Sequence, residues 1–250
     1  MTAYLLLACA AFIAGLMNAV AGGGTFITFP ALAFTGVPSV IANASNAVAL
    51  VPASFASAWA YRRDYQNVED LSFKTMVAVS LVGGLIGAVL LIATPETTFD
   101  GLVPWLLLGA TLVFAFGPTF IPKLRERFQI GPPGLLFLQF LVGIYGGYFG
   151  GAMGIVMLAV YSLFGLTNLN AMNAMKSLLA GFINGVAVIV FAATGNVVWR
   201  QTLLMIIFAI AGGYVGAHYG RRLPQMYLRT LIILISTSVT IAFFVRDWGK

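Results

Sequence analysis

Polar chemistry in this chain is confined to a few places inside long apolar runs. Asn43, Ser45 and Asn46 form one cluster, and Asn173, Lys176 and Ser177 form a second. At helical spacing Asn43 and Asn46 share a face, as do Asn173 and Lys176. Asn184 lies about two turns beyond Lys176. Amides and hydroxyls grouped around an ammonium can hold an anion. A lysine inside a membrane helix costs roughly 2.5–3.5 kcal/mol on insertion scales, so it needs compensation. All seven carboxylates (Asp64, Glu69, Asp70, Glu96, Asp100, Glu126 and Asp247) fall in loops or at span ends. A bound anion would supply the missing charge, with Asn46 and Asn173 donating amide hydrogen bonds. Two other readings stay open. The asparagines could bond between helices, and Lys176 could snorkel toward the cytoplasmic start of its helix.

Glycine clusters are the second feature. Gly22, Gly23 and Gly24 form one, and Gly146 and Gly147 with Gly150 and Gly151 form the other. Glycine costs about 1 kcal/mol against alanine within a helix. Its clustering points to a helix break, whose exposed N–H groups would join the anion site, or to close packing of helices. No Gly-Lys-Ser/Thr follows these glycines and no strand precedes them, which argues against a nucleotide-binding loop. Gly83-xxx-Gly87 and Gly212-xxx-Gly216 are small-xxx-small packing faces, either within the chain or across a homodimer. His218 is the sole histidine, and histidine is the side-chain type that serves as a proton carrier. It is a candidate for proton coupling, or a histidine packed near the cytoplasmic end of its helix.

These residues sit in a chain of 250 residues that is 60% hydrophobic and only 8% charged. A soluble domain carries about a quarter charged residues, so a polar shell is excluded. Apolar runs at 76–93, 102–121, 135–148, 178–193 and 203–217 approach the length that crosses a ~30 Å hydrocarbon core as helix. One cysteine and one histidine exclude an intrachain disulfide and a multi-histidine metal site. No cofactor is implied. The net charge of +6 comes from basic residues at span ends, which reads as topology rather than nucleic-acid binding. No Gly-x-Ser-x-Gly occurs, and His218 lies on a different helix from any attractive serine, which argues against an enzyme.

The chain repeats itself. Leu81-Val-Gly83-Gly84-Leu-Ile-Gly87-Ala88 matches Ile210-Ala-Gly212-Gly213-Tyr-Val-Gly216-Ala217 at an offset of 129, which also aligns Thr94-Pro95 with Leu223-Pro224. Asn43-Ala44-Ser45-Asn46 falls on Asn173-Ala174-Met175-Lys176 with a one-residue slip. The halves are 1–122 and 130–250, joined by a linker at 123–129. Nine of the thirteen basic residues lie at 62–74, 123–129 and 221–229, which should be cytoplasmic. The segments 94–101 and 194–200 should be outside, as should both termini; Arg246 and Lys250 fit that less well. Equivalent loops then fall on opposite sides. The expected fold is an all-α integral membrane protein of two inverted repeats. Each repeat has about five helical segments, broken or re-entrant near the glycines. Such repeats carry a site at their interface in secondary transporters.

A glycine-rich segment, a Gly36-Val37-Pro38 turn, an Asn/Ser-bearing helix and a Gly-Gly-xx-Gly helix, all duplicated, resemble the sulfite exporter TauE/SafE family, the TSUP membrane permeases. The resemblance covers nearly the whole chain. It implies transport of sulfur-containing anions such as sulfite, sulfoacetate or organosulfonates across the cell inner membrane. Channel or uptake permease activity toward another small anion is the alternative. The family pattern often has Ala-Thr-Ser where this chain has Asn43-Ala44-Ser45 and Asn173-Ala174-Met175-Lys176. The second-half lysine is a departure from it. The expected substrate-binding residues are Lys176, Asn46, Asn173, Asn43, Ser45, Ser177, Gly23, Gly24, Gly150 and Gly151.

Overall fold

The computed structural model describes residues 2–20, 22–66, 72–219 and 225–248. Among these are ten α-helices, in two runs of five: α1 (Thr2–Val20), α2 (Thr25–Phe34), α3 (Ser39–Ala60), α4 (Phe73–Ala93) and α5 (Glu96–Arg127), then α6 (Pro132–Tyr148), α7 (Met153–Phe164), α8 (Leu169–Ala193), α9 (Trp199–Tyr219) and α10 (Gln225–Trp248). Six contain stretches long and apolar enough to cross a membrane. Side chains such as Leu5, Phe116, Phe120, Ile189 and Ile207 point outward. A soluble protein would bury that surface, whereas lipid accepts it.

The two glycine clusters become hairpin tips. Gly22 (φ 81) and Gly150 (φ 75) take left-handed backbone that suits glycine. There α1 turns into α2 and α6 turns into α7. The open end of the α6–α7 hairpin is closed by Ile130 N–H donating to Leu163 O at 3.2 Å. The open end of the α1–α2 hairpin lies beside the start of α3, four residues after α2 ends. Each glycine-rich segment is therefore the tip of a helical hairpin. The tips meet: a Cβ on Gly22 would lie 2.6 Å from Gly154 Cα.

The two runs pack reciprocally. Helix α1 lies along α9, and α6 along α4. Glycine ridges make both contacts. A Cβ on Gly212 or Gly216 would strike the carbonyls of Phe12 and Leu16, and one on Gly83 or Gly87 those of Phe140 and Ile144. The small-xxx-small faces are thus filled inside the chain, and a dimer would need another surface. Helices α3 and α8 pack in opposite directions. Phe55, late in α3, fills the space over Gly181, while Tyr61 reaches Ala174 near the start of α8. Ser45, early in α3, accepts from Val198 N–H just past the end of α8, at 3.0 Å. Thr111 on α5 meets Thr240 on α10, 129 positions away, at 3.4 Å.

Two expected loops are helix instead. Residues 96–101 form the first turns of α5, because Glu96 suits a helix start and its carboxylate accepts Val40 N–H at 3.1 Å. Asp100 likewise accepts from Ser39. Helix α5 also runs on through Arg127, with Arg125 and Arg127 favoured in its last turn, so most of the 123–129 linker is helical. Helix α8 starts at Leu169, well before the apolar run at 178–193, because Asn168 caps it by accepting from Asn170 and Ala171 N–H. Glu69, Asp70, Arg221, Arg222, the Leu223-Pro224 match and Lys250 lie outside the described residues, as do the side chains of Arg229, Arg246 and Asp247.

Candidate functional site

The hairpin tips bring two helix starts and two helix ends together. Neither α2 nor α7 has a side-chain cap: the residue before α2 is Gly24, and the residue before α7 is Ala152 at φ 56. Phe26 and Ile27 N–H turn back to Gly23 O and Gly24 O, and Met153 and Ile155 N–H to Gly150 O and Ala152 O, which leaves the positive dipole ends of both helices at the tips. Ala152 in left-handed backbone is uncommon for a residue with a Cβ, so the second break is held under strain.

Lys176 reaches into this junction from α8. It is 2% exposed, and its Nζ donates to Asn18 O at 3.2 Å and Ala19 O at 3.3 Å. These carbonyls belong to the last turn of α1, where a cation is favoured. The lysine is buried rather than extended into solvent. Its stem runs past Gly154, where a Cβ would approach Lys176 Cδ to 3.1 Å. Asn46, the repeat mate of Lys176, is held from α2: Thr28 Oγ1 donates to Asn46 Oδ1, and Asn46 Nδ2 donates to Thr25 Oγ1 at 3.4 Å.

Between these groups lies a cavity with about 20 Å³ open to the centre of a water-sized sphere. Lys176, Ser177, Asn46, Thr25, Asn18 and Asn184 line it, with Gly22, Gly150 and Gly154. Ser177 Oγ is buried and has no hydrogen-bond partner, a rare condition for an interior hydroxyl. The volume suffices for about one water.

Not every expected residue comes to this cavity. Lys176, Asn46, Ser177 and Gly150 do. Gly23, Gly24 and Gly151 are at the tips but do not line it; Gly24 instead lets α2 approach α1, since a Cβ there would sit 2.7 Å from Ala14 O. Ser45 is occupied by Val198 N–H, and Asn43 Nδ2 donates to Tyr148 O at 2.8 Å. Asn173 is buried outside the lining, with its Oδ1 unpartnered. His218 is exposed near the end of α9, stacked with Tyr214 and edge-on to Tyr219, away from the cavity. Missing from the expected set were Asn18, Thr25, Thr28 and Gly154, while Gly22 belonged to the expected glycine break. Thr25 had a signal, as the first hydroxyl after the glycine run. Asn18 had none, because its repeat mate is Gly146.

The family model for the sulfite exporter TauE/SafE matches residues 7–243. A probable membrane transporter protein of Haemophilus influenzae is 30% identical over 98% of this chain and 95% of its own length. One from Sinorhizobium is 31% identical over 93% of this chain and 88% of its own. Another from Escherichia coli K12, YfcA, is 30% identical over 96% and 89%. With a match spanning nearly every helix, this multi-pass membrane protein belongs to the sulfite exporter TauE/SafE family.

Proposed function

We propose that the chain is a secondary transporter, working as an exporter, of small sulfur-containing anions such as sulfite, sulfoacetate or organosulfonates across the cell inner membrane. It works by alternating access at the interface of two inverted repeats, 1–122 and 130–250. The observation that carries this is Lys176, buried between two uncapped helix starts and beside an unpartnered serine hydroxyl. A carboxylate-free cluster of donors is selective for negative charge. The opposite directions of α3 and α8, which occupy equivalent places in the two runs, support inversion. The two hairpins then open to opposite sides, and parting one tip at a time gives alternating access.

A channel would need a continuous water path, and a cavity of about 20 Å³ beneath touching tips disfavours one. The test is flux of sulfite and sulfoacetate in proteoliposomes of the purified chain. Saturable flux above protein-free vesicles is expected, with countertransport when anion is present on both sides. Flux that matches the protein-free vesicles would remove the reading.

A further inference from the structure

The two halves treat equivalent helix ends differently. Gly22 N–H donates to Met17 O, and Gly150 N–H donates to Tyr145 O, so α1 and α6 end alike with a shift of 128 positions. By that shift Asn18 and Ala19 correspond to Gly146 and Gly147. The carbonyls of Asn18 and Ala19 take the Lys176 ammonium. At the end of α6, Asn46 stands where the other half has Lys176, and it is turned to Thr25 and Thr28.

The end of α6 therefore has the acceptors without the built-in cation. Of its last four carbonyls, Tyr145 O accepts from Phe149 and Gly150 N–H, and Tyr148 O accepts from Asn43 Nδ2. Gly146 O and Gly147 O have no donor further along their own helix. Gly146 O lies at the break, within 3.1 Å of where a Cβ on Gly150 would be. A second observation points to the same place. Asn43 is 2% exposed, and its Oδ1 has no partner. The bond from Nδ2 to Tyr148 O fixes the amide orientation, since a flip would set two acceptors against each other. A buried acceptor thus stands at the negative end of a helix dipole.

We propose that the end of α6, with Asn43 Oδ1, binds a monovalent metal cation such as sodium that travels with the anion. Neutral oxygens without a carboxylate suit a single charge; calcium sites draw on carboxylates. The break then serves both ions: the end of α6 faces the cation, and the start of α7 faces the anion. Co-transport rests on the anion-carrier reading, but cation binding does not.

Thermal unfolding of the purified full chain, titrated with sodium chloride against choline chloride at constant ionic strength and without substrate, tests binding. Sodium should raise the midpoint saturably. Asn43→Ala should raise the half-saturating concentration at least tenfold, while Asn43→Asp should retain the response. Asn46→Lys should abolish it by supplying an ammonium, as Lys176 does in the other half. A response that choline reproduces, or an unchanged half-saturation in Asn43→Ala, overturns the site. If Asn43→Ala does not fold, a full sodium response in Asn46→Lys overturns it. Sodium binding that persists in Lys176→Gln, alongside lost sulfite binding, separates failure of one site from failure of the other.

Discussion

Lys176 and Ser177 are adjacent in sequence, and their environments predict opposite stability costs. The ammonium satisfies two carbonyls at the end of α1, and bonds from a charged donor are each worth about 1.5–3 kcal/mol. Lys176→Gln should therefore lower the thermal midpoint and weaken sulfite binding at least tenfold, both read on detergent-purified protein. Lys176→Arg should keep part of the binding, since charge survives and geometry does not. Ser177 Oγ bonds to nothing, so Ser177→Ala removes an unsatisfied group and should leave the midpoint unchanged or higher. Sulfite affinity should still fall several-fold. An Ser177→Ala variant that binds as tightly as the parent would show that the hydroxyl does not face the anion. The lysine was legible in the sequence because a charge inside an apolar run is costly. Its carbonyl partners were not, because they lie 157 and 158 positions away and backbone acceptors carry no residue signature.

At the scale of elements, glycines divide into those that hold helices together and those that do not. A Cβ on Gly87 would sit 2.1 Å from Ile144 O, and one on Gly212 would sit 2.0 Å from Phe12 O. Both are backbone contacts that cannot rotate away. Gly87→Ala and Gly212→Ala should each cost about 1–3 kcal/mol or more, measured as loss of thermal midpoint. Gly109 and Gly185 have nothing within 4 Å of a built Cβ. Alanine there should be neutral, or stabilising by up to about 1 kcal/mol through helix propensity. Equal losses at all four positions would mean that close approach is not what these glycines provide. The Gly-xxx-Gly spacing announced the packing faces, since period four puts both glycines on one side of a helix. That each face is filled inside the chain was beyond it, because spacing does not name the partner. The hairpin tips were legible only as breaks; their mutual contact at Gly22 and Gly154 joins segments whose glycines are not repeat mates.

For the whole molecule, charge and packing agree on which ends belong together. Arg125 donates to Gly165 O, Tyr65 packs on Phe73, and Phe73, Ile130, Phe164 and Leu166 pack on one cluster, so 61–66, 125–131 and 163–168 gather at one end with the arginines of 62–63 and α5. Glu96 and Asp100 bind the start of α3 at the other end, where Ser45 also holds Val198. The basic end should be cytoplasmic. The expectation of inversion came from basic loops that fall at non-equivalent places in two similar halves. The boundaries were less legible, since helix-compatible charges at both ends of α5 disguise helix as loop. Single cysteines test the assignment in a Cys9→Ala background, needed because Cys9 is exposed. Gln66→Cys and Gln129→Cys should react with a membrane-impermeant maleimide only from the cytoplasmic face. Thr98→Cys and Thr194→Cys should react only from outside. If Thr98→Cys labels from the cytoplasmic face, the orientation is reversed. If Gln66→Cys and Thr194→Cys label from the same face, the equivalent loops of the two halves share a side. The halves would then be parallel, and a carrier whose hairpins enter from opposite sides would have to be abandoned.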